Sequence, residues 1–95
     1  MVFVIDKLKY DTDKMELISE KCRYSYPGYI LGRKVLYKAR VTKLYKTKRG
    51  HWFMVYEEES LLTYGKVMTE DEVKGLLMKS DLAKYEEIFG ELEEG

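Results

Sequence analysis

Apolar positions alternate along the first two thirds of the chain and recur at helical spacing in the last third. Val2–Ile5 is a short apolar run, and Leu8–Tyr10 follows after Asp6-Lys7. This pair predicts two strands joined by a tight turn. Asp11-Thr12-Asp13 is turn chemistry, because short polar side chains bond the local backbone. Met15–Tyr24 fits both periods; a strand is expected, since the preceding strands need a partner. Tyr26-Pro27-Gly28-Tyr29 reads as a turn, with Pro presetting φ and Gly accepting a positive one. Gly32 marks a further bend.

Val35, Tyr37, Ala39 and Val41 then alternate with Leu36, Lys38, Arg40 and Thr42, which predicts one strand with an apolar face. It continues through Leu44 and Tyr45 to a Thr47-Lys48-Arg49-Gly50 turn, where Gly50 supplies the left-handed position. His51–Tyr56 is apolar on both faces apart from His51, which places it in the middle of the sheet. Glu57-Glu58-Glu59 ends it, and residues 60–68 read as a loop or short strand. Thr69-Glu70-Asp71-Glu72 is a capping box. It opens a helix from about Glu70 to Lys79, with Val73, Leu76 and Leu77 inward. Ser80-Asp81 restarts a second helix, with Leu82, Tyr85, Ile88, Phe89 and Leu92 on one face. The expected fold is α+β. A four- or five-stranded antiparallel sheet spans about residues 2–60, and two C-terminal helices, about 70–93, pack on one face. Val35, Tyr37, Val41, Phe53, Val55, Leu76, Leu77, Ile88 and Phe89 are expected to supply the apolar contacts.

Length and composition narrow the class. A chain of 95 residues is expected to be a single domain, 1–95, with one modest core. Cys22 is the sole cysteine, so no internal disulfide forms. No apolar run approaches the ~20 residues that span a bilayer. The apolar start stops at Asp6, too short for a signal-peptide core. The expectation is a cytoplasmic protein, in the host cell cytoplasm, without a membrane partner.

Charge adds more. The 17 basic and 17 acidic residues cancel, but they are segregated. Residues 1–20 hold three lysines and five acids, net −2; residues 21–56 hold ten basic residues and no acid. Residues 57–95 hold four lysines and twelve acids, net −8. Arg33, Lys34, Lys38, Arg40, Lys43, Lys46, Lys48 and Arg49, with Tyr45 and Trp52, form a candidate nucleic-acid or partner-binding hairpin over residues 33–49. Cations track phosphates, and exposed aromatics stack bases. Two plainer readings stand beside this. The aromatics form a core face above solvated cations, or the cations pair with the acidic helices. Glu86, Glu87, Glu91, Glu93 and Glu94 in turn present negative charge suited to a basic channel on another protein.

Little points to catalysis. With Cys22 and His51 alone, no zinc site of His/Cys type is expected, and Asp11-x-Asp13 reads as a turn before a metal site. A Cys22–His51 dyad needs the two side by side, whereas His51 flanks a turn. Nucleophile-elbow, phosphate-loop and dinucleotide motifs are all missing. No cofactor is expected and the protein reads as not an enzyme, although a carboxylate pair joined only in space stays open.

Four blocks carry a resemblance. They are Lys9-Tyr10-Asp11-Thr12-Asp13 followed by Leu17-Ile18, Leu44–Phe53 (L-Y-K-T-K-R-G-H-W-F), Met68-Thr69-Glu70-Asp71-Glu72-Val73, and Ala83–Glu94 with its Y-E-E-I-F-G-E core. In this order they resemble a family of small uncharacterised proteins of phages, plasmids and integrated elements of Firmicutes. The chain departs from that family after the hairpin, where Val55-Tyr56-Glu57-Glu58-Glu59-Ser60 replaces a glycine-rich G-E-G-G. The resemblance implies no catalytic residue. It implies a mobile-element setting, in which an inhibitor of a host defence protein or nucleoprotein complex, of anti-CRISPR type, is the leading expectation. An accessory nucleic-acid-binding or regulatory protein is the alternative, and a small carboxylate-dependent hydrolase or nuclease is the third.

Overall fold

Trp52–Glu57 carries apolar side chains on both faces, so both must be covered. In the computed structural model, which describes residues 1–95, this segment is the seventh of eight strands. The strands are β1 (Val2–Ile5), β2 (Leu8–Asp11), β3 (Glu16–Ser19), β4 (Ser25–Ile30), β5 (Arg33–Lys38), β6 (Val41–Lys46), β7 (Trp52–Glu57) and β8 (Thr63–Met68). A 3-10 turn, Thr12–Lys14, follows β2, and the helices are α1 (Glu70–Ser80) and α2 (Leu82–Phe89). Four strands form one antiparallel sheet in the order β3-β6-β7-β8, while β1–β2 and β4–β5 are separate hairpins. The fold is α+β, as the pattern predicts, with β7 inside the sheet.

Trp52, Met54 and Tyr56 share one face of this sheet with Thr42 and Leu44 of β6 and Met68 of β8. The helices cover that face. Val73, Leu77 and Tyr85 pack with Leu44, Trp52, Met54, Met68 and Cys22, and the Phe89 ring sits 6.1 Å from Trp52. The opposite face carries Phe53 and Val55. There the β1–β2 hairpin closes over Phe53, with Tyr10 stacked on it at 4.9 Å and Phe3 at 5.6 Å. Gly65 makes this possible. A Cβ there would stand 2.5 Å from Phe53 Cζ and 2.8 Å from Phe3 Cγ, so only a glycine leaves room for both rings.

Signals confined to a few residues hold. Asp6 and Lys7 take φ of 50° and 66°, the geometry of a two-residue hairpin turn. Gly50 lies at φ 83°, and its N–H donates to the Thr47 carbonyl at 2.9 Å. The capping box is closed both ways: Glu72 N–H donates to Thr69 Oγ1 at 3.2 Å, and Thr69 N–H to Glu72 Oε1 at 3.1 Å. That hydrogen bond, with the Lys66 ammonium 3.2 Å away, holds the Glu72 carboxyl below its usual range.

Other expectations need correction. Tyr26–Tyr29 is not a turn but lies within β4, paired along its length with β5. A Cβ at Gly28 would meet Tyr37 Cε2 at 2.4 Å, so the glycine makes room for an aromatic ring. Pro27 is tolerated because β4 has an unpaired edge. The single strand expected over 35–45 is two strands. At the break, Ala39 is buried and its N–H donates to the Tyr24 carbonyl at 2.8 Å, while Arg40 N–H donates to the Glu57 carbonyl at 2.8 Å. Inward parity flips there, from Val35 and Tyr37 to Thr42 and Leu44, which leaves Val41 exposed. The sheet extends past residue 60, through Met68. The second helix stops at Phe89, where Gly90 takes φ 98°, and Leu82 and Leu92 are exposed. Asp81 locks the helix junction to the sheet, accepting from Ser19 Oγ at 2.7 Å and from Lys84 N–H at 3.3 Å.

Phe53→Ala is expected to cost about 3–5 kcal/mol, read by denaturant unfolding. Gly65→Ala should cost about 1–3 kcal/mol by overpacking. A neutral result for both would mean that the β1–β2 hairpin does not seal this face. Cys22 gives a second check. Burial pushes its thiol up, with the Asp81 charge adding to the shift against a hydrogen bond to Ser19. A thiol reagent should therefore label the native protein far more slowly than the unfolded chain.

Candidate binding surfaces

The basic segment does not form one hairpin. Arg33, Lys34 and Lys38 lie on β5 and are exposed. Arg40 lies in the break, 4.0 Å from Glu57, and Lys43 lies 3.8 Å from Glu20. Lys46 sits over the Trp52 indole at 4.8 Å. Lys48 and Arg49 form the exposed tip of the β6–β7 turn. The sequence boundary 33–49 thus joins residues of two hairpins that part at Ala39. Trp52 is buried against Phe89, and half-buried Tyr45 faces Phe53 across the β6–β7 ladder, so Trp52 offers no free face to a base. The acidic helices do not neutralise the basic region: no ion pair joins residues 21–56 to residues 70–95. Of the acidic residues expected on the second helix, Glu86 and Glu87 belong to α2, while Glu91, Glu93 and Glu94 follow it. Cys22 packs in the helix-facing core and His51 is exposed beside the turn, so the two do not meet. No three potential metal ligands come together, and no helix is long and apolar enough to cross a membrane.

Two surfaces stand out. The first is the β4–β5 arm. Its root is a tyrosine stack: Tyr26 lies 5.7 Å from Tyr37 and 5.9 Å from Tyr56, and Tyr56 lies 5.6 Å from Tyr64. Beyond the root the arm belongs to no other sheet, and both of its edges are unpaired. The radius of gyration, 14.3 Å, exceeds the roughly 12 Å of a compact chain of this length. Pro27, Tyr29, Lys34, Leu36 and Lys38 share one face, with Tyr29 72% and Leu36 69% exposed. Leu31 at the tip is 99% exposed and takes φ 51°. Leucine gains nothing from solvent and is strained at positive φ, where Asn or Gly is favoured. Leu61 repeats the combination in the β7–β8 loop, which touches the arm's root through Glu59 N–H to the Tyr26 hydroxyl at 3.4 Å.

The second surface is a cleft of about 330 Å³ between β2 with its 3-10 turn and the β6–β7 turn. Lys9, Lys14, Lys48, Arg49 and His51 line it together with Leu8, Tyr10 and Met15. Lys48 and Arg49 were legible as candidates. Lys9, Lys14 and His51 were not, although the Lys9–Asp13 block and the Leu44–Phe53 block, which contains His51, were each singled out by motif.

No protein-family model, curated protein or solved structure matches this chain. Its class therefore rests on geometry: an α+β domain with an unpaired, apolar and basic β-arm.

Leu31→Asn tests whether folding selects the leucine. Relief of left-handed strain should raise stability by up to about 1 kcal/mol, or about 4–8 °C in Tm for a domain of this size. A fall in Tm would show that Leu31 packs within the chain.

Proposed function

We propose that this chain is a non-catalytic binding protein of a phage or mobile element that inhibits a host defence nucleoprotein, of CRISPR type, by docking its β4–β5 arm on the effector. The observation that carries this reading is Leu31, an exposed leucine in a strained conformation at the tip of an unpaired arm. Contiguous exposed apolar side chains rimmed by charge are characteristic of protein-binding surfaces. Lys34 and Lys38 supply that rim, with Arg33 on the other face of the arm, and favour an acidic or nucleic-acid-bearing partner. Unpaired edges add main-chain hydrogen bonding as a second mode of attachment. The defence setting comes from the sequence resemblance; the mode of contact comes from the geometry.

A nucleic-acid-binding accessory role is the second reading, favoured by ten cations without an acid over residues 21–56. With Trp52 buried, it would rest on phosphate contacts rather than on stacking.

The test is plasmid or phage interference in cells carrying an active CRISPR effector, with and without this chain. Wild type should restore plasmid or phage survival and co-elute with the effector complex. Leu31→Asn and Leu36→Lys should each lose both effects while remaining folded. Full inhibition by both variants would overturn the arm as the contact, and no inhibition of any effector would overturn the reading. Fluorescence anisotropy with short DNA and RNA separates the alternative. A nucleic-acid binder should lose about 0.9 log units of affinity per duplex phosphate contact for each log unit of salt, whereas the inhibitor should bind free nucleic acid poorly.

A further inference from the structure

We infer that the cleft between β2 and the β6–β7 turn is a discrete binding site for a nucleotide phosphate, separate from the arm. Four cationic residues line the cleft: Lys9 from β2, Lys14 from the 3-10 turn, and Lys48 and Arg49 from the β6–β7 turn. None of the four has an acidic partner within ion-pair distance in the chain. The one carboxylate in the lining, Asp11, accepts the Asp13 N–H at 3.1 Å and so caps the 3-10 turn. Like charges gathered without a counter-charge repel, and an anion in the cleft reverses the sign of that interaction. Four cations around one concavity suit a ligand of several negative charges, and the Arg49 guanidinium can grip two phosphate oxygens at once.

The lining also says what accompanies the phosphate. Leu8, Tyr10 and Met15 make an apolar wall, and His51 and Thr47 add hydrogen-bonding groups at the rim. A site that mixes a cationic edge with an apolar wall suits an anion attached to a planar, partly apolar body. The volume, about 330 Å³, lies at the small end of small-molecule sites. A nucleotide has both parts, whereas inorganic phosphate would leave the wall unused. The architecture holds the two halves together: Tyr10 stacks on Phe53 at 4.9 Å, and Phe53 is the second residue of β7, just after the turn. The cleft is thus anchored through Tyr10 to the sealed second face of the sheet, while Lys14, Lys48 and Arg49 reach it from turns.

Isothermal titration calorimetry of the full chain tests this with ATP, AMP, pyrophosphate and adenosine as probes. ATP should bind more tightly than AMP or pyrophosphate, and adenosine should not bind. Lys48→Glu/Arg49→Glu should weaken ATP by about tenfold or more, as should Lys9→Glu from the other wall. Leu31→Asn on the arm should leave the affinity unchanged, so loss of this site and failure of the arm reading are distinguishable. All of these variants are at exposed positions, and circular dichroism checks that they fold. A short oligonucleotide with and without a 5′-phosphate identifies the source. Tighter binding of the phosphorylated strand than of AMP assigns a strand end, and the reverse assigns a free nucleotide. No heat with ATP and no binding of the phosphorylated strand at millimolar concentration, or equal binding by Lys48→Glu/Arg49→Glu, overturns the proposal.

Discussion

The fold depends on burying Phe53. Its strand is apolar on both faces, so one layer of helices cannot satisfy it. The helices take the face of Trp52 and Met54, and the β1–β2 hairpin must therefore cross to the other side to cover Phe53. Gly65 is the complementary concession on the neighbouring strand, a side chain given up so that the Phe3 and Phe53 rings can meet. Once Tyr10 stacks on Phe53, β2 stands beside the β6–β7 turn, and the cleft lined by Lys9 and Lys48 follows from the packing. Hydrophobic burial thus sets the geometry of this basic-lined concavity.

Charge follows a different logic. A neutral chain with ten cations in one stretch and twelve acids in another has every opportunity to pair them. One such pair forms, Arg40 with Glu57; Lys43 pairs with Glu20 of the N-terminal stretch, and Lys66 and Lys84 pair with nearby Glu72 and Glu87. Exposed ion pairs contribute little to stability, typically no more than about 1 kcal/mol each, so folding exerts only weak pressure to join the two regions. Separation therefore costs the fold little and leaves a basic arm and a basic cleft available to external anions.

What the sequence made legible follows range. The Asp6-Lys7 turn, the Gly50 turn and the Thr69–Glu72 box are decided within a few residues, and each was readable. Tyr26-Pro27-Gly28 has the composition of a turn. The reason for its glycine is Tyr37, nine positions away and visible only after β4 and β5 pair. Alternation across residues 35–45 looked continuous because both halves are strands. What interrupts it is the hydrogen bond from Ala39 to Tyr24, which no periodicity encodes. The binding surfaces behave alike. Lys48 and Arg49 were found by local charge. Lys9 and Lys14 were not, since only the Tyr10–Phe53 stack brings them near. The signal that did exist was the pair of motif blocks, which the fold places on opposite walls of one cleft.

The two short hairpins form an internal comparison. Both turn with two consecutive residues at positive φ, Asp6-Lys7 in one and Leu31-Gly32 in the other. At the first, exposed polar residues meet solvent, and the strands beside them cover Phe53. At the second, a leucine stands wholly in solvent in a conformation it disfavours, and the strands beside it cover nothing beyond their root. Within one protein the same turn geometry is thus built once by the rules of folding and once against them. Local choices that oppose both conformation and solvation are the places where a requirement other than folding acts on the sequence. On the β4–β5 arm, the proposed docking would take Leu31 out of water and so answer both violations at once.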